Sequence, residues 1–164
     1  MRHKLLYGAF DLTLDEKNRL SVPSQVRKQL KAEGDGESIV LFLIVGSNQR
    51  TWFYRENYYE ELANKQEGKI APAESDVEFD RENFGLADQV EVDKQGRILI
   101  DAKFLRRTGT NKEVTLVGVR DHLELWNRQD WNTWVEELER RKSAAAKRSS
   151  QFEQLPQTDL GKSQ

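Results

Sequence analysis

The chain has 164 residues, 37% hydrophobic and 33% charged, so it can bury one modest core, or two joined halves, beside some disordered sequence. It has no cysteine, which excludes disulfides and thiolate metal sites, and its formal net charge of −2 argues against coating nucleic acid by bulk attraction. Any affinity for nucleic acid must therefore come from a local cluster of cations.

The first predicted element is a strand, turn and strand around an Asp-x-x-x-Arg motif at residues 15–19. Alternating apolar residues on both sides of the motif predict a hairpin with one apolar face: Leu12, Leu14, Leu20 and Val22. Residues 16–18 form its loop, a type I turn that ends with Asn18 in the left-handed region. Asp15 can accept a backbone N–H two residues on, and Arg19 opens the return strand.

A helix, two strands and a second helix follow the hairpin. Pro23 lies in the first turn of the helix, with Val26 and Leu30 on its apolar side. Strands are predicted at 39–45 and 51–54, and the next helix opens near Arg55. Residues 66–86 are polar and acidic, which predicts a linker.

The motif occurs again at residues 93–97, where Gly96 takes the left-handed turn position. Superposing Asp15 on Asp93 aligns five apolar residues of the first copy with Val90, Val92, Ile98, Ile100 and Phe104. The chain is therefore a tandem duplication. The second copy is predicted to have a helix capped by Asp101 and ending before Gly109, strands at 114–119 and 122–126, and a helix opening near Asn127.

The last helix carries an apolar stripe with i, i+3, i+4, i+7 spacing at Trp131, Trp134, Val135 and Leu138. Such a stripe is typical of a core or of a contact between subunits, and we expect it to be buried between repeats or subunits. Beyond Leu138 a basic helix end gives way to a polar tail, predicted to be disordered from residue 149. The predicted organisation is a first repeat at 5–65, a linker at 66–86, a second repeat at 87–138 and a basic end with a tail at 139–164.

The candidate DNA-binding residues are the two cations of each motif: Lys17, Arg19, Lys94 and Arg97. The supporting residues are Asp15, Asn18, Asp93 and Gly96. A single copy would be explained by a solvated hairpin with an ion pair worth less than about 1 kcal/mol. Two copies favour DNA contact, because mutation would be expected to remove an arginine without a function from one of them. A two-stranded ribbon fits the DNA major groove, and arginine can pair with guanine there.

Basic residues on the helices behind the motifs leave two interpretations open. They are Arg27, Lys28 and Lys31 in one repeat and Lys103, Arg106 and Arg107 in the other. A solvated helix face and direct phosphate contact explain them equally well.

Residues 14–23, 90–100, 112–119 and 123–126 closely resemble the MraZ family of bacterial transcriptional regulators. The resemblance covers roughly residues 5–138. It implies an α+β fold: a duplicated swapped-hairpin β-barrel of the AbrB/SpoVT type with short flanking helices and an internal pseudo-two-fold. It also implies a ring-like homo-oligomer that binds short repeated boxes upstream of its own cell-division and cell-wall operon through the motif cations. Because a ring arrays its hairpins with one polarity, we expect these boxes to be direct repeats, and we expect the protein to act as a repressor.

Other function classes find little support in the sequence. His3 and His122 lack metal-ligand spacing, no glycine loop is followed by the Lys-Ser/Thr of a nucleotide site, and we expect no enzyme activity, cofactor, metal or small-molecule substrate. No apolar run is long enough to span a membrane or serve as a signal peptide, so we expect a cytoplasmic, nucleoid-associated protein. The alternatives are an AbrB-like antitoxin with a toxin partner, against which the duplication argues, and a purely structural β-rich oligomer.

Overall fold

The computed structural model of the protein describes residues 3–31 and 38–154. The elements of the first repeat are β1 (Leu6–Thr13), β2 (Arg19–Ser21), α1 (Ser24–Leu30), β3 (Val40–Val45), β4 (Thr51–Arg55) and α2 (Glu56–Asn64). Between the repeats lies α3 (Glu74–Asp80), followed directly by a π-helix at Arg81–Gly85. The second repeat contributes β5 (Asp88–Glu91), β6 (Arg97–Leu99), α4 (Ala102–Thr108), β7 (Glu113–Arg120), β8 (His122–Asn127) and α5 (Arg128–Glu153).

Most strand pairing in the described residues joins one repeat to the other. The larger sheet is antiparallel and has the strand order β1-β7-β8-β4-β3-β5, and the smaller sheet pairs β2 with β6. β1 pairs with β7 of the second repeat, and β5 pairs reciprocally with β3 of the first. This reciprocity confirms the duplication as a structural fact, and it means that neither repeat completes its own sheet.

The predicted hairpins and closed barrel differ from what the structure contains. The turn at residues 15–19 forms, but the strands on its two sides separate, since β1 pairs with β7 and β2 with β6. Each of these strands instead finds its backbone partners in the other repeat. In the described residues the larger sheet is open, with β1 and β5 as its outer strands.

The core is shared by both repeats. Its fully buried members come from strands and helices of each copy: Leu20, Val26, Leu43, Phe53, Ile98, Ile100, Leu116 and Leu125. Leu20 and Ile98 lie directly opposite each other across β2 and β6, so the small sheet seals one side of the core. Burying such side chains stabilises a fold by about 1.5–3 kcal/mol each.

The helix signals that bound α4 are confirmed in position and chemistry. Asp101 caps α4 by accepting the N–H of Lys103 at 2.8 Å, and Gly109 ends it in the left-handed conformation with φ 61°.

The segment predicted as a linker contains the helical residues 74–85. Glu74 and Asp76 lie in the first turn of α3, where their negative charges interact favourably with the positive end of the helix dipole. Arg81 forms ion pairs with Glu74 and Glu78.

Helix α5 from Gln129 onward is a separate compact unit of the chain. It runs to Glu153 and therefore extends further than predicted, since its last turn includes residues that we expect in the tail. Trp131 and Trp134 stack with ring centroids 5.1 Å apart. The stripe is not fully buried in the described chain, with Trp134 39% exposed, and the predicted tail beyond residue 154 lies outside the described residues.

Candidate nucleic-acid interface

The first motif, which we call tip 1 (residues 15–19), is a closed three-residue turn. The N–H of Asn18 donates to the carbonyl oxygen of Asp15 at 3.0 Å, and the N–H of Asp15 donates to that of Arg19 at 3.1 Å. Asp15 Oδ1 accepts the N–H groups of Lys17 and Arg19, each at 2.9 Å. Its other oxygen, Oδ2, accepts Arg19 Nε at 2.6 Å. One carboxylate therefore both closes the turn and holds the guanidinium.

The second motif, tip 2 (residues 93–97), repeats this geometry. Asp93 Oδ1 accepts the N–H groups of Gln95 and Arg97, each at 2.9 Å, and Oδ2 accepts Arg97 Nε at 3.3 Å. The predicted bond from the aspartate to the N–H two residues on is confirmed in both tips. Tip 2 has one further contact, in which Arg97 Nη2 donates to the side-chain oxygen of Gln95.

The aspartates remain charged over a wide pH range. The backbone N–H of Arg19 is the main cause that lowers the pKa of Asp15, and the N–H of Arg97 does the same for Asp93. The ion pairs themselves are partly solvated, with the Arg19 and Arg97 side chains 32% and 28% exposed. Pairs of this kind contribute less than about 1 kcal/mol, so their effect is to orient the arginines rather than to hold the fold together.

The last loop residue of each tip adopts the predicted left-handed conformation, with φ 61° at Asn18 and 79° at Gly96. Gly96 also leaves room for the guanidinium of Arg27. A Cβ atom at this position would lie 2.9 Å from Cζ of Arg27, which is closer than normal packing allows. Asparagine at position 18 is tolerated because it is among the side chains that most readily take this conformation.

Each tip is braced by a cation that lies far from it in the sequence. Lys112 Nζ donates to the carbonyl oxygen of Asp15 at 3.0 Å and to Asn18 Oδ1 at 3.1 Å. Arg27 donates from Nε to the carbonyl oxygen of Val22 at 3.1 Å and packs against Gly96 of tip 2. The sequence predicts Arg27 on a solvated or phosphate-binding helix face. In the structure the guanidinium of Arg27 instead packs against Gly96 in the tip of the other repeat.

Both motif arginines lie on the same outward face of the β2–β6 ribbon. Leu20 and Ile98 point into the core, so the alternating neighbours Arg19, Ser21, Arg97 and Leu99 point outward. Arg19 stands opposite Leu99, and Arg97 stands opposite Ser21. The two arginines are thus diagonal neighbours, a relationship that places such residues about 7–8 Å apart.

The other predicted cations are exposed around this face or on the helices behind it. Lys17 and Lys94 are exposed at the tips. The exposed cations on the helices are Lys28 on α1, Lys31 directly after α1, and Lys103, Arg106 and Arg107 on α4. Three further residues near the tips are not predicted as site residues from the sequence, namely Lys112, Gln95 and Leu99. Only Leu99 has a usable signal, because strand alternation places it on the face of Arg97.

Other kinds of site find no candidates in the described residues. No group of His, Asp and Glu in 3–31 and 38–154 is arranged to hold a metal ion. The helices of this same part of the chain are too short or too polar to cross a membrane. His122 begins β8, as the predicted strand at 122–126 implies, and its two ring nitrogens lie 2.8 Å from the carboxylates of Asp121 and Glu124.

These features define a class of protein: a tandem-repeat chain whose strands interlock and whose two carboxylate-held arginines share one ribbon face. The chain belongs to the MraZ family. The family model described as "MraZ protein, putative antitoxin-like" matches residues 5–80 and 84–153. A curated relative, Transcriptional regulator MraZ of Desulforapulum autotrophicum, is 35% identical over 135 residues, which cover 79% of this chain and 87% of the relative.

Proposed function

We propose that this chain is a sequence-specific DNA-binding transcriptional regulator and that its two tips contact the bases of a promoter. The observation that carries this proposal is the placement of Arg19 and Arg97 on one exposed face of the β2–β6 ribbon. A two-stranded ribbon fits the DNA major groove, where an arginine can donate two hydrogen bonds to one guanine. The name of the Desulforapulum relative supports the same class of function.

The energetics of the tips fit base contact. In each tip the aspartate accepts a hydrogen bond from the arginine Nε, and in tip 2 Gln95 also accepts one from Arg97 Nη2. The remaining guanidinium N–H groups are available to a ligand. The exposed pair is worth less than about 1 kcal/mol, whereas a bidentate guanine contact contributes about 1–3 kcal/mol of discrimination. DNA can therefore recruit the arginines at small cost, and the aspartates preorganise them.

The tip lysines have a different proposed role. Lys17 and Lys94 are exposed, and their ammonium groups are compact point charges without the fork geometry of arginine. We assign them to phosphate contacts, which set affinity and position rather than sequence preference. With a net charge of −2 on the whole chain, such local contacts must supply the attraction to DNA.

The finer form of the proposal concerns assembly and operator. We propose a ring-like homo-oligomer in which the stripe of Trp131, Trp134, Val135 and Leu138 on α5 contacts a second copy. A ring arrays its subunits with one polarity, so the operator boxes are direct repeats about one helical turn apart. We further propose that the protein represses its own cell-division and cell-wall operon and acts in the cytoplasm at the nucleoid.

The reciprocal pairing of β1 with β7 and β5 with β3 supports assignment to the AbrB/SpoVT type of swapped-hairpin fold, with the repeats bounded at 5–65 and 87–138. An AbrB-like antitoxin is the alternative within that type, and the family description contains the word antitoxin-like. An antitoxin would need a further surface for its toxin. The regulator is favoured because this chain carries two repeats, whereas AbrB-like antitoxins usually carry one.

A gel-shift experiment tests the proposed function directly. The probe is double-stranded DNA from immediately upstream of the protein's own gene, and the control is a shuffled duplex of the same length and composition. We expect a complex with the upstream probe that resists competition by the shuffled duplex. Equal competition by both duplexes would contradict sequence-specific binding and leave the tips without the proposed role.

A further inference from the structure

The outward face of the β2–β6 ribbon carries four side chains, which we call the ribbon quartet: Arg19, Ser21, Arg97 and Leu99. Residues directly opposite each other in such a ribbon have Cβ atoms about 4.5–5.5 Å apart. Leu99 therefore flanks Arg19, and Ser21 flanks Arg97. If an arginine contacts a base pair, the side chain opposite that arginine in the ribbon lies next to the same part of the DNA.

The quartet is nearly symmetric but not quite. The register pairs Leu20 with Ile98 at the centre of the ribbon, and a two-fold axis there exchanges Arg19 with Arg97. The same axis exchanges Ser21 with Leu99. The same residue type stands at both arginine positions, although only Arg97 also donates to Gln95. One flanking position is a small hydroxyl and the other a large aliphatic side chain.

Packing in the core of the described residues does not explain why residue 99 is a leucine. Its side chain is 59% exposed, while its neighbours Ile98 and Ile100 are 2% and 0% exposed and fill the core from the same strand end. A single exposed leucine is common on protein surfaces and needs no explanation by itself. This one stands opposite a motif arginine, where DNA contact would remove its apolar surface from water.

We infer that Leu99 and Ser21 are specificity-determining residues that give the DNA box its direction. Leu99 makes an apolar contact with the C5-methyl group of a thymine beside the guanine that Arg19 contacts. Ser21, at the equivalent place beside Arg97, offers a hydroxyl that can donate to or accept from a base edge. Because the other two members of the quartet are both arginines, the difference between Leu99 and Ser21 contributes to making the box asymmetric. The inference rests on the proposed DNA-binding function and adds which residues set base preference next to the arginines.

Two single substitutions make the quartet symmetric in opposite ways. Leu99→Ser gives serine at both flanking positions, and Ser21→Leu gives leucine at both. For each variant, the preferred box is selected from a library of duplexes with randomised sequence, and affinities for single-base variants of that box are measured. The control is Leu5→Ser, because Leu5 is 56% exposed and lies outside the quartet.

The expected result is a change of preference at defined positions. Leu99→Ser should reduce the preference for one thymine by about tenfold, the effect of a typical mismatched base pair, while Leu5→Ser retains it. Ser21→Leu should acquire a matching thymine preference on the other side of the box. The salt dependence of binding should be the same in all proteins, because no phosphate contact is altered.

The outcomes separate this inference from the proposed function. If the unaltered protein selects a defined box and both variants select the identical box, the inference is overturned and the proposed function stands. If Leu99→Ser changes the oligomeric mass but not the box, Leu99 belongs to a protein contact and the inference is likewise overturned. If the unaltered protein selects no sequence, both proposals fail together.

Discussion

Asn18 and Ile100 are joined by a backbone hydrogen bond, in which the N–H of Ile100 donates to the carbonyl oxygen of Asn18 at 3.0 Å. The reciprocal bond runs from the N–H of Val22 to the carbonyl oxygen of Gly96 at 2.8 Å. The last loop residue of each tip is thus tied to the strand that leaves the other tip. The two tips are fixed relative to each other, as a preorganised DNA-contacting surface requires.

Replacing Gly96 with alanine tests how tightly tip 2 is built. Alanine at a positive φ costs about 1–2 kcal/mol, and its Cβ would lie 2.9 Å from Arg27 Cζ. We expect Gly96→Ala to lower the free energy of unfolding by about that amount in urea denaturation. The matched control is Gly68→Ala, where a Cβ meets nothing within 4 Å. Equal stability of the two variants would show that the tip is not constrained as described.

The sequence is sufficient to predict the local structure of the site. The turn positions of Asn18 and Gly96, the aspartate contacts within the tips and the caps of α4 depend on neighbours within five residues. Backbone sterics and short hydrogen bonds determine such features, so a single sequence contains their signal. The strands and the short helices α1, α2 and α4 lie close to their predicted positions for the same reason.

What joins the repeats could not be predicted in the same way. The pairing of β2 with β6 and the contact of Lys112 with Asn18 link residues about 80 or more positions apart. Strand periodicity specifies which face is apolar but not which strand is the partner. Residues 74–85 are assigned to a linker from the sequence because they are polar. Their helices carry exposed ion pairs such as that of Arg81 with Glu74, and each pair contributes too little to be recognised from composition.

His122 makes the stability of the folded chain depend on pH. Burial lowers the pKa of His122, but the carboxylates of Glu124 and Asp121, each 2.8 Å from a ring nitrogen, raise it by more, to above the usual 6.5. The folded chain therefore holds this proton more tightly than the unfolded chain. The resulting stabilisation is complete below about pH 6.5 and is lost as the pH rises through the folded-state pKa.

We therefore expect the free energy of unfolding to fall as the pH is raised above about 6.5 and His122→Gln to remove most of this decline. The control is His3→Gln, which leaves the imidazole of His122 and its two carboxylates in place. Burial raises the pKa values of Glu124 and Asp121, but their hydrogen bonds with His122 and other neighbours lower them by more. The free energy of unfolding should therefore also fall at acidic pH, as these two carboxylates become protonated. A decline of the same size in the His122→Gln variant would rule out this assignment.

The assignment of Lys17 and Lys94 to phosphate contacts is tested through salt. Replacing either lysine with alanine should flatten the slope of log affinity against log salt concentration by about one unit, because each ammonium group neutralises one phosphate. The selected DNA sequence should stay the same. A changed base preference with an unchanged slope would reverse the roles that we give to the lysines and arginines.

The most direct test of DNA binding by the tips is the affinity of the Arg19→Ala, Arg97→Ala double variant for upstream promoter DNA. Removing the guanine pairing of each arginine should cost about 1–3 kcal/mol, so the affinity of the double variant should fall by at least about thirtyfold. The free energy of unfolding should change by less than about 1 kcal/mol for each exposed ion pair removed. Arg81→Ala is the matched control, since it removes an exposed arginine paired with carboxylates away from the tips. An affinity of the double variant equal to that of the unaltered protein would contradict the claim that the tips bind DNA.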